Sequence, residues 1–101
     1  PGVISLFFSN THYPDFEAYI FAVADAMKYE YEAITNSGIG LQIDCPDLAM
    51  GRHIQYAALD TANFQKQAEM HVNALNHALQ NINPDLVRLH LCWGNCMQVH
   101  I

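Results

Sequence analysis

Two long segments with the periodicity of amphipathic helices alternate with short apolar segments that have the character of β-strands. Apolar residues recur every three or four positions in residues 15–37 and 61–81. The strand-like segments are residues 3–9, 41–45 and 87–92. This β-α-β-α-β order predicts an α/β unit whose parallel strands are joined by right-handed helical crossovers, because each helix returns the chain to the same end of the sheet.

Residues that commonly begin or end helices and strands lie at the boundaries of the predicted elements. Asp15 precedes the first helix, where its negative charge suits the positive end of the helix dipole. Gly38 follows that helix, at a position where a left-handed cap is expected. Pro46 ends the second strand because it cannot donate to a ladder. The chain shows no repeat or linker, so residues 1–101 are expected to form one structural unit.

Composition restricts the classes of partner. Ten acidic residues face four basic ones, for a formal charge of −6, and the bases form no stripe. Nucleic acid and anionic membranes are therefore not expected as partners. No apolar run has the length of a membrane span, and no signal peptide is visible. Three cysteines, an odd number, favour reduced thiols and a cytoplasmic location.

The second and third strands each present polar residues on one face. Gln42 and Asp44 share a face of the second strand, and Arg88, His90 and Cys92 share a face of the third. Strands of a fully covered parallel sheet usually read as continuous apolar runs. A polar face is typical of the interior of a catalytic barrel near its C-terminal rim, although a sheet with one solvated face gives the same pattern.

His90 and Cys92 are ligand types that zinc prefers. Cys96 and His100 extend the pattern to His-x-Cys-x₃-Cys-x₃-His, but this spacing fits no common zinc module, so both are expected to be structural. A disulfide between Cys92 and Cys96 is a less favoured alternative. Two protein ligands make a poor zinc site, so tight zinc binding by this chain alone is not expected.

At these residues the chain resembles the cobalamin-independent methionine synthase family. The resemblance is carried by LQIDCPDL at positions 41–48 and HLCWGN at positions 90–95, in this order. It is closest to the shorter, single-barrel branch of the family and extends along essentially the whole chain. The fold that it implies is part of a (β/α)₈ TIM barrel, the C-terminal catalytic barrel of the family.

The resemblance also implies a chemistry. His90 and Cys92 match two zinc ligands of the family, whose remaining Glu and Cys would lie beyond Ile101. Asp44 matches a residue that holds the amino-acid substrate. Apart from the resemblance, Gln42 is expected to orient its neighbours, and Asn95, in the loop after the third strand, is a candidate substrate contact. The implied reaction is zinc-dependent methyl transfer from methyltetrahydrofolate to a thiol such as homocysteine, with the isolated chain inactive.

Two other classes remain open. One is a non-catalytic α/β module that functions by assembly or binding, and the other is a barrel of the uroporphyrinogen decarboxylase type, which needs no metal. His90 and Cys92 argue against the decarboxylase. A low charged fraction, 14%, and open sheet edges favour self-association, most simply as a two-fold homodimer.

The remaining aromatic and histidine residues are given non-catalytic roles. Phe7, Phe8 and Trp93 are expected in the core. His12 and His53 are expected on loops at the rim of the site without a catalytic role. His71 and His77 are expected on the surface or flank of the second helix.

Overall fold

A computed structural model describes residues 1–92. The helices are α1 (Gly2–Phe7), α2 (Phe16–Asn36), α3 (Asp47–Met50) and α4 (Thr61–Leu79). The strands are β1 (Leu41–Asp44) and β2 (Val87–His90), and one 3₁₀ turn, Pro84–Leu86, leads into β2. None of the helices in this part of the chain is long and apolar enough to cross a membrane.

The two strands pair in parallel, as the sequence predicts. The register places Leu41 opposite Val87 and Asp44 opposite His90. A backbone bond from the Cys45 amide to the His90 carbonyl, 2.9 Å long, continues the ladder past the end of β1. Because both strands run in the same direction, their carboxyl ends lie at the same edge of the sheet.

The N-terminal segment is a helix and not a strand, so the prediction of a strand over residues 3–9 is wrong. Ser5 donates its amide to the Pro1 carbonyl and its hydroxyl to the Gly2 carbonyl, at 3.3 and 2.6 Å. Phe7 and Phe8 were expected in the core but are 69% and 68% exposed. A short apolar run fits a strand or a helix equally well, since periodicity cannot separate them over so few residues. The sheet of the described residues therefore has two strands, not three.

The core lies between the helices α2 and α4 and one face of β1. Ile20, Ala24, Ala74 and Ala78 are fully buried where the two helices meet. The small alanine side chains allow the two helix backbones to approach closely. Leu41, Ile43 and Cys45 point into this core from the sheet, while Gln42 and Asp44 are exposed on the other face, so the predicted alternation along β1 is confirmed.

The helical layer covers β1 more completely than β2. Leu89 shares a face with its register partner Ile43, yet Leu89 is 53% exposed whereas Ile43 is 5% exposed. On the opposite face Arg88 and His90 are exposed, in line with the predicted polar face. The result is a mixed helix and strand unit with two parallel strands, one of which has an open flank.

Caps fix the ends of the two long helices close to the predicted positions. The Asp15 carboxylate accepts from the Ala18 amide at the start of α2, and the Asp60 carboxylate accepts from the Asn63 amide at the start of α4. After α2 the chain reverses at Gly38, whose φ is +91°, as predicted. The left-handed conformation there turns the chain from α2 toward β1.

We expect replacement of Gly38 by Ala to lower the free energy of unfolding by about 1–2 kcal/mol, because an L side chain is disfavoured at this φ. No atom lies within 4 Å of the added methyl group, so the effect is conformational and not steric. Gly40→Ala is the matched control, since its methyl group would make only an ordinary 3.5 Å contact with the Leu86 carbonyl. Urea denaturation measures both, and an equal loss in the two variants would contradict the role of Gly38.

Candidate functional site

The predicted site residues Asp44 and His90 meet at the carboxyl ends of the two strands. They are register partners, and Asp44 Oδ1 lies 2.9 Å from His90 Nδ1. Their side chains are 62% and 54% exposed, so the pair faces solvent. Two sequence segments that are far apart in the chain therefore contribute adjacent groups to one edge of the sheet, as the parallel topology predicts.

The contact with Asp44 fixes how the His90 ring is presented. An ionised carboxylate can only accept, so in the neutral imidazole the proton is assigned to Nδ1, which donates to Asp44. The lone pair then lies on Nε2, which has no partner within the described part of the chain. A histidine held through Nδ1 by a carboxylate, with Nε2 free, is the usual arrangement of a metal-binding imidazole.

The other predicted site residues are less closely grouped. Gln42 is exposed on the same face of β1 as Asp44 and lies opposite Arg88. Cys92 is a free, half-buried cysteine just beyond β2. Asn95 lies outside the described residues, as do Trp93, Cys96 and His100. Over residues 1–92 no group of three or more His, Cys, Asp or Glu side chains is arranged to hold a metal ion.

Cys92 lines a cavity of about 650 Å³ that we call the rim cavity. Its other described walls come from α3, the loop after α3, which includes His53, and the start of α4. His90 is not among the described residues that line it. Of the two predicted zinc ligands, His90 therefore contacts Asp44, whereas Cys92 lines the rim cavity.

A second polar cluster, which we call the buried triad, lies behind the strand ends and consists of Asp47, His71 and Tyr56. His71 Nδ1 lies 2.8 Å from Asp47 Oδ2, and the Tyr56 hydroxyl lies 2.7 Å from His71 Nε2. His71 is only 2% exposed and Asp47 only 4%. The prediction that His71 is a surface or flank residue is therefore wrong. The companion prediction for His77 is confirmed, since His77 is partly exposed and bonds Asp25 on α2.

Burial governs the acid–base behaviour around the triad. It raises the pKa of Tyr56 to about 12, with a further contribution from the negative charge of Asp47. Burial and Asp47 also raise the pKa of Cys45 to about 11. Both groups therefore keep their protons at neutral pH, so Tyr56 donates to His71 and neither group is a ready nucleophile. The triad has the chemistry of a structural network.

The triad and the strand-end pair are neighbours. A small cavity of about 90 Å³ is lined by residues of both clusters, including Asp44, Cys45, Asp47 and His71. At the other side of the triad α1 approaches so closely that a methyl group at Gly2 would overlap the Asp47 carboxylate. The buried triad thus joins α1, α3, α4 and the loop between α3 and α4 directly behind Asp44.

The sequence carried a faint signal for this network. His71 lies four positions before Leu75 and seven before Ala78, and both of these residues are buried on α4. The spacing of His71 therefore fits the buried stripe of α4, but its polarity led to the prediction of a surface position. The matching signal is Asp47, an acid directly after a strand and a proline, in a segment that packs inward. A buried histidine needs a polar partner, and Asp47 supplies it.

The chain matches no protein-family model, no curated protein and no solved structure.

We expect His71→Leu to lower the free energy of unfolding by about 3–5 kcal/mol, because it leaves the buried Asp47 carboxylate without a partner. Tyr56→Phe removes only one hydrogen bond and should cost about 1–3 kcal/mol. The double variant Asp47→Leu, His71→Leu removes both buried polar groups and should recover much of the loss. Urea denaturation of the three variants tests this order, and a His71→Leu protein as stable as Tyr56→Phe would refute it.

Proposed function

We propose that this chain is part of a zinc-dependent methyltransferase of the cobalamin-independent methionine synthase type, with the two strands forming part of a (β/α)₈ barrel. The proposed reaction is methyl transfer from methyltetrahydrofolate to a thiol such as homocysteine. The proposed setting is cytoplasmic, where the free thiols of Cys45 and Cys92 stay reduced.

The observation that carries the proposal is the 2.9 Å contact between Asp44 and His90 at the strand ends. The two residues belong to the two motifs on which the family resemblance rests, and the resemblance implies that both serve one site. A barrel enzyme places its reacting groups at the carboxyl ends of parallel strands. The exposed polar face of the sheet is also what a barrel interior requires.

Zinc fits the donors that are present. Imidazole nitrogen and thiolate sulfur are preferred zinc ligands, and the Nε2 atom of His90 is available to bind. His90 would supply one ligand from the strand ends, and Cys92, which lines the rim cavity in this structure, would supply a second; further ligands would come from other protein segments. When bound, zinc supplies Lewis acidity, which lowers the pKa of a thiol substrate so that it reacts as a thiolate.

Asp44 acquires two roles in this proposal. As a hydrogen-bond acceptor it holds the His90 ring in one tautomer and one orientation. Its second carboxylate oxygen, exposed on the same side of the sheet, is left to accept a hydrogen bond from the substrate's amino group. Gln42 lies two residues earlier on the same face and would line the approach to this group, and Asn95 remains a proposed substrate contact.

The zinc content of the longest natural polypeptide that contains these residues tests the proposal. We expect His90→Ala and Cys92→Ala to lose bound zinc and methyl transfer to homocysteine together. Asp44→Ala should weaken zinc affinity by about 10–100-fold, the usual effect of removing a partner that orients a ligand. Competition with a chelating indicator measures these affinities.

His12→Ala is the matched control, because His12 is an exposed histidine in the turn before α2. It should keep the zinc content and activity of the parent protein. A His90→Ala protein that retains full zinc would remove His90 from the ligand set and with it the proposed site. Zinc binding without methyl transfer to any thiol would leave a metal site but reject the methyltransferase.

A second proposal concerns self-association, which the open flank of β2 favours. Leu89 and Leu91 are 53% and 55% exposed at the end of a strand that lacks a neighbour on its far side within the described residues. Open strand edges and exposed apolar side chains favour pairing, and identical chains most often pair about a two-fold axis. We propose that the isolated chain forms a homodimer that covers this flank, which the next strand would cover in a complete barrel.

Light scattering across a concentration series measures the dimer directly. We expect the average mass to rise toward twice that of one chain, and Leu89→Glu combined with Leu91→Glu to restore the monomer. Tyr29→Glu is the control, since Tyr29 is 78% exposed on α2 and lies away from the strands. A monomeric mass at every concentration would contradict the proposal.

A further inference from the structure

The rim cavity combines one cation, one thiol and an apolar wall. Arg52, Thr61, Gln65 and Cys92 contribute polar groups to it, and Phe64 and Leu91 contribute apolar surface. Its volume of about 650 Å³ lies within the usual range for small-molecule sites, roughly 300–1,000 Å³. The cavity is therefore large enough to take a small organic molecule.

Arg52 is held at the wall of this cavity by two contacts that leave most of its donors unused. One guanidinium nitrogen donates to the Leu59 carbonyl at 3.2 Å. The guanidinium carbon also lies 5.7 Å from the centre of the Phe64 ring. Since an arginine carries five N–H donors in a planar fork, the head group remains able to bind an anion in a fixed orientation.

An acid of the same loop, Asp60, follows Leu59 and caps the start of α4, but it does not line the rim cavity. The chain holds ten acids and four bases, yet none of the described residues that line the rim cavity is Asp or Glu. The ion pairs found within residues 1–92 all join a histidine to an aspartate, and Arg52 takes part in none of them. In a protein of net charge −6, the rim cavity is thus a local positive site with an oriented donor.

We propose that the rim cavity binds the carboxylate of a small acidic ligand, with the carboxylate on Arg52 and the rest of the ligand extending toward Cys92. Thr61 and Gln65 supply neutral hydrogen-bond donors beside the anion, and Phe64 and Leu91 pack against its aliphatic part. That this ligand is a thiol, with its sulfur at the Cys92 end, rests on the proposed zinc function. The anion specificity rests on Arg52 alone.

Alkylation of Cys92 in the full chain, with a metal chelator present, tests the site without zinc. Iodoacetate carries a carboxylate and iodoacetamide is its neutral counterpart, so the ratio of their rates reports the attraction of the cavity for anions. We expect this ratio at Cys92 to exceed that of free N-acetylcysteinamide, a thiol without a carboxylate, by about tenfold or more. Peptide mass spectrometry measures the rates at Cys92 separately from those at the other cysteines.

Arg52→Gln should reduce the ratio to that of N-acetylcysteinamide, whereas Arg52→Lys should keep part of it, since the charge stays but the planar fork of donors is lost. Lys66→Gln is the matched control, because Lys66 is an exposed cation of α4 that does not line the rim cavity. It should leave the ratio unchanged. Circular dichroism establishes that each variant is folded.

A second measurement uses only the unmodified protein, so the test does not depend on the folding of Arg52→Gln. Propionate should slow the reaction of Cys92 with iodoacetamide, and propionamide should not. A rate ratio equal to that of N-acetylcysteinamide, or equal protection by propionate and propionamide, would overturn the proposal. Because zinc is absent throughout, failure here is distinct from failure of the zinc site, which the metal content of the His90 and Cys92 variants decides.

Discussion

The parallel pairing of β1 with β2 is the constraint on which the rest of this structure depends. It brings Asp44 and His90 to one edge of the sheet, and its register sets them directly opposite each other. A shift by one residue would move every side chain of a strand to the other face. The core contacts of Leu41 and Ile43 and the contact of Asp44 with His90 therefore require the same register, so packing and site geometry support each other.

The buried triad lies directly behind this edge of the sheet and holds the chain after β1 in place. An acid and a histidine buried together are stable only as partners, since each would carry a large desolvation penalty alone. Asp47 follows β1 by three residues, and His71 lies in the middle of α4, so their bond fixes the chain beyond β1 against that helix. The same chain segment continues to Arg52, which ties the position of the rim cavity to the triad.

Two groups at these positions are available to bind a ligand. His90 presents Nε2 from the strand ends, and Arg52 presents its guanidinium from the loop after α3. In the proposed enzyme the first would bind the metal and the second would bind the acidic end of the substrate. Cys92 lines the rim cavity. It is therefore both a proposed zinc ligand and part of the wall of the proposed anion site.

Local patterns in the sequence determined the two long helices, their caps at Asp15 and Gly38, the alternation along β1 and the parallel order of the two strands. Those features follow from periodicity and backbone preference, which act over a few residues. Tertiary structure determined two features that such local patterns cannot predict. It made residues 2–7 a helix that leaves Phe7 and Phe8 exposed, because a six-residue apolar run is equally suited to both elements. It buried His71, because a polar residue enters a core only when a distant partner, here Asp47, meets it there.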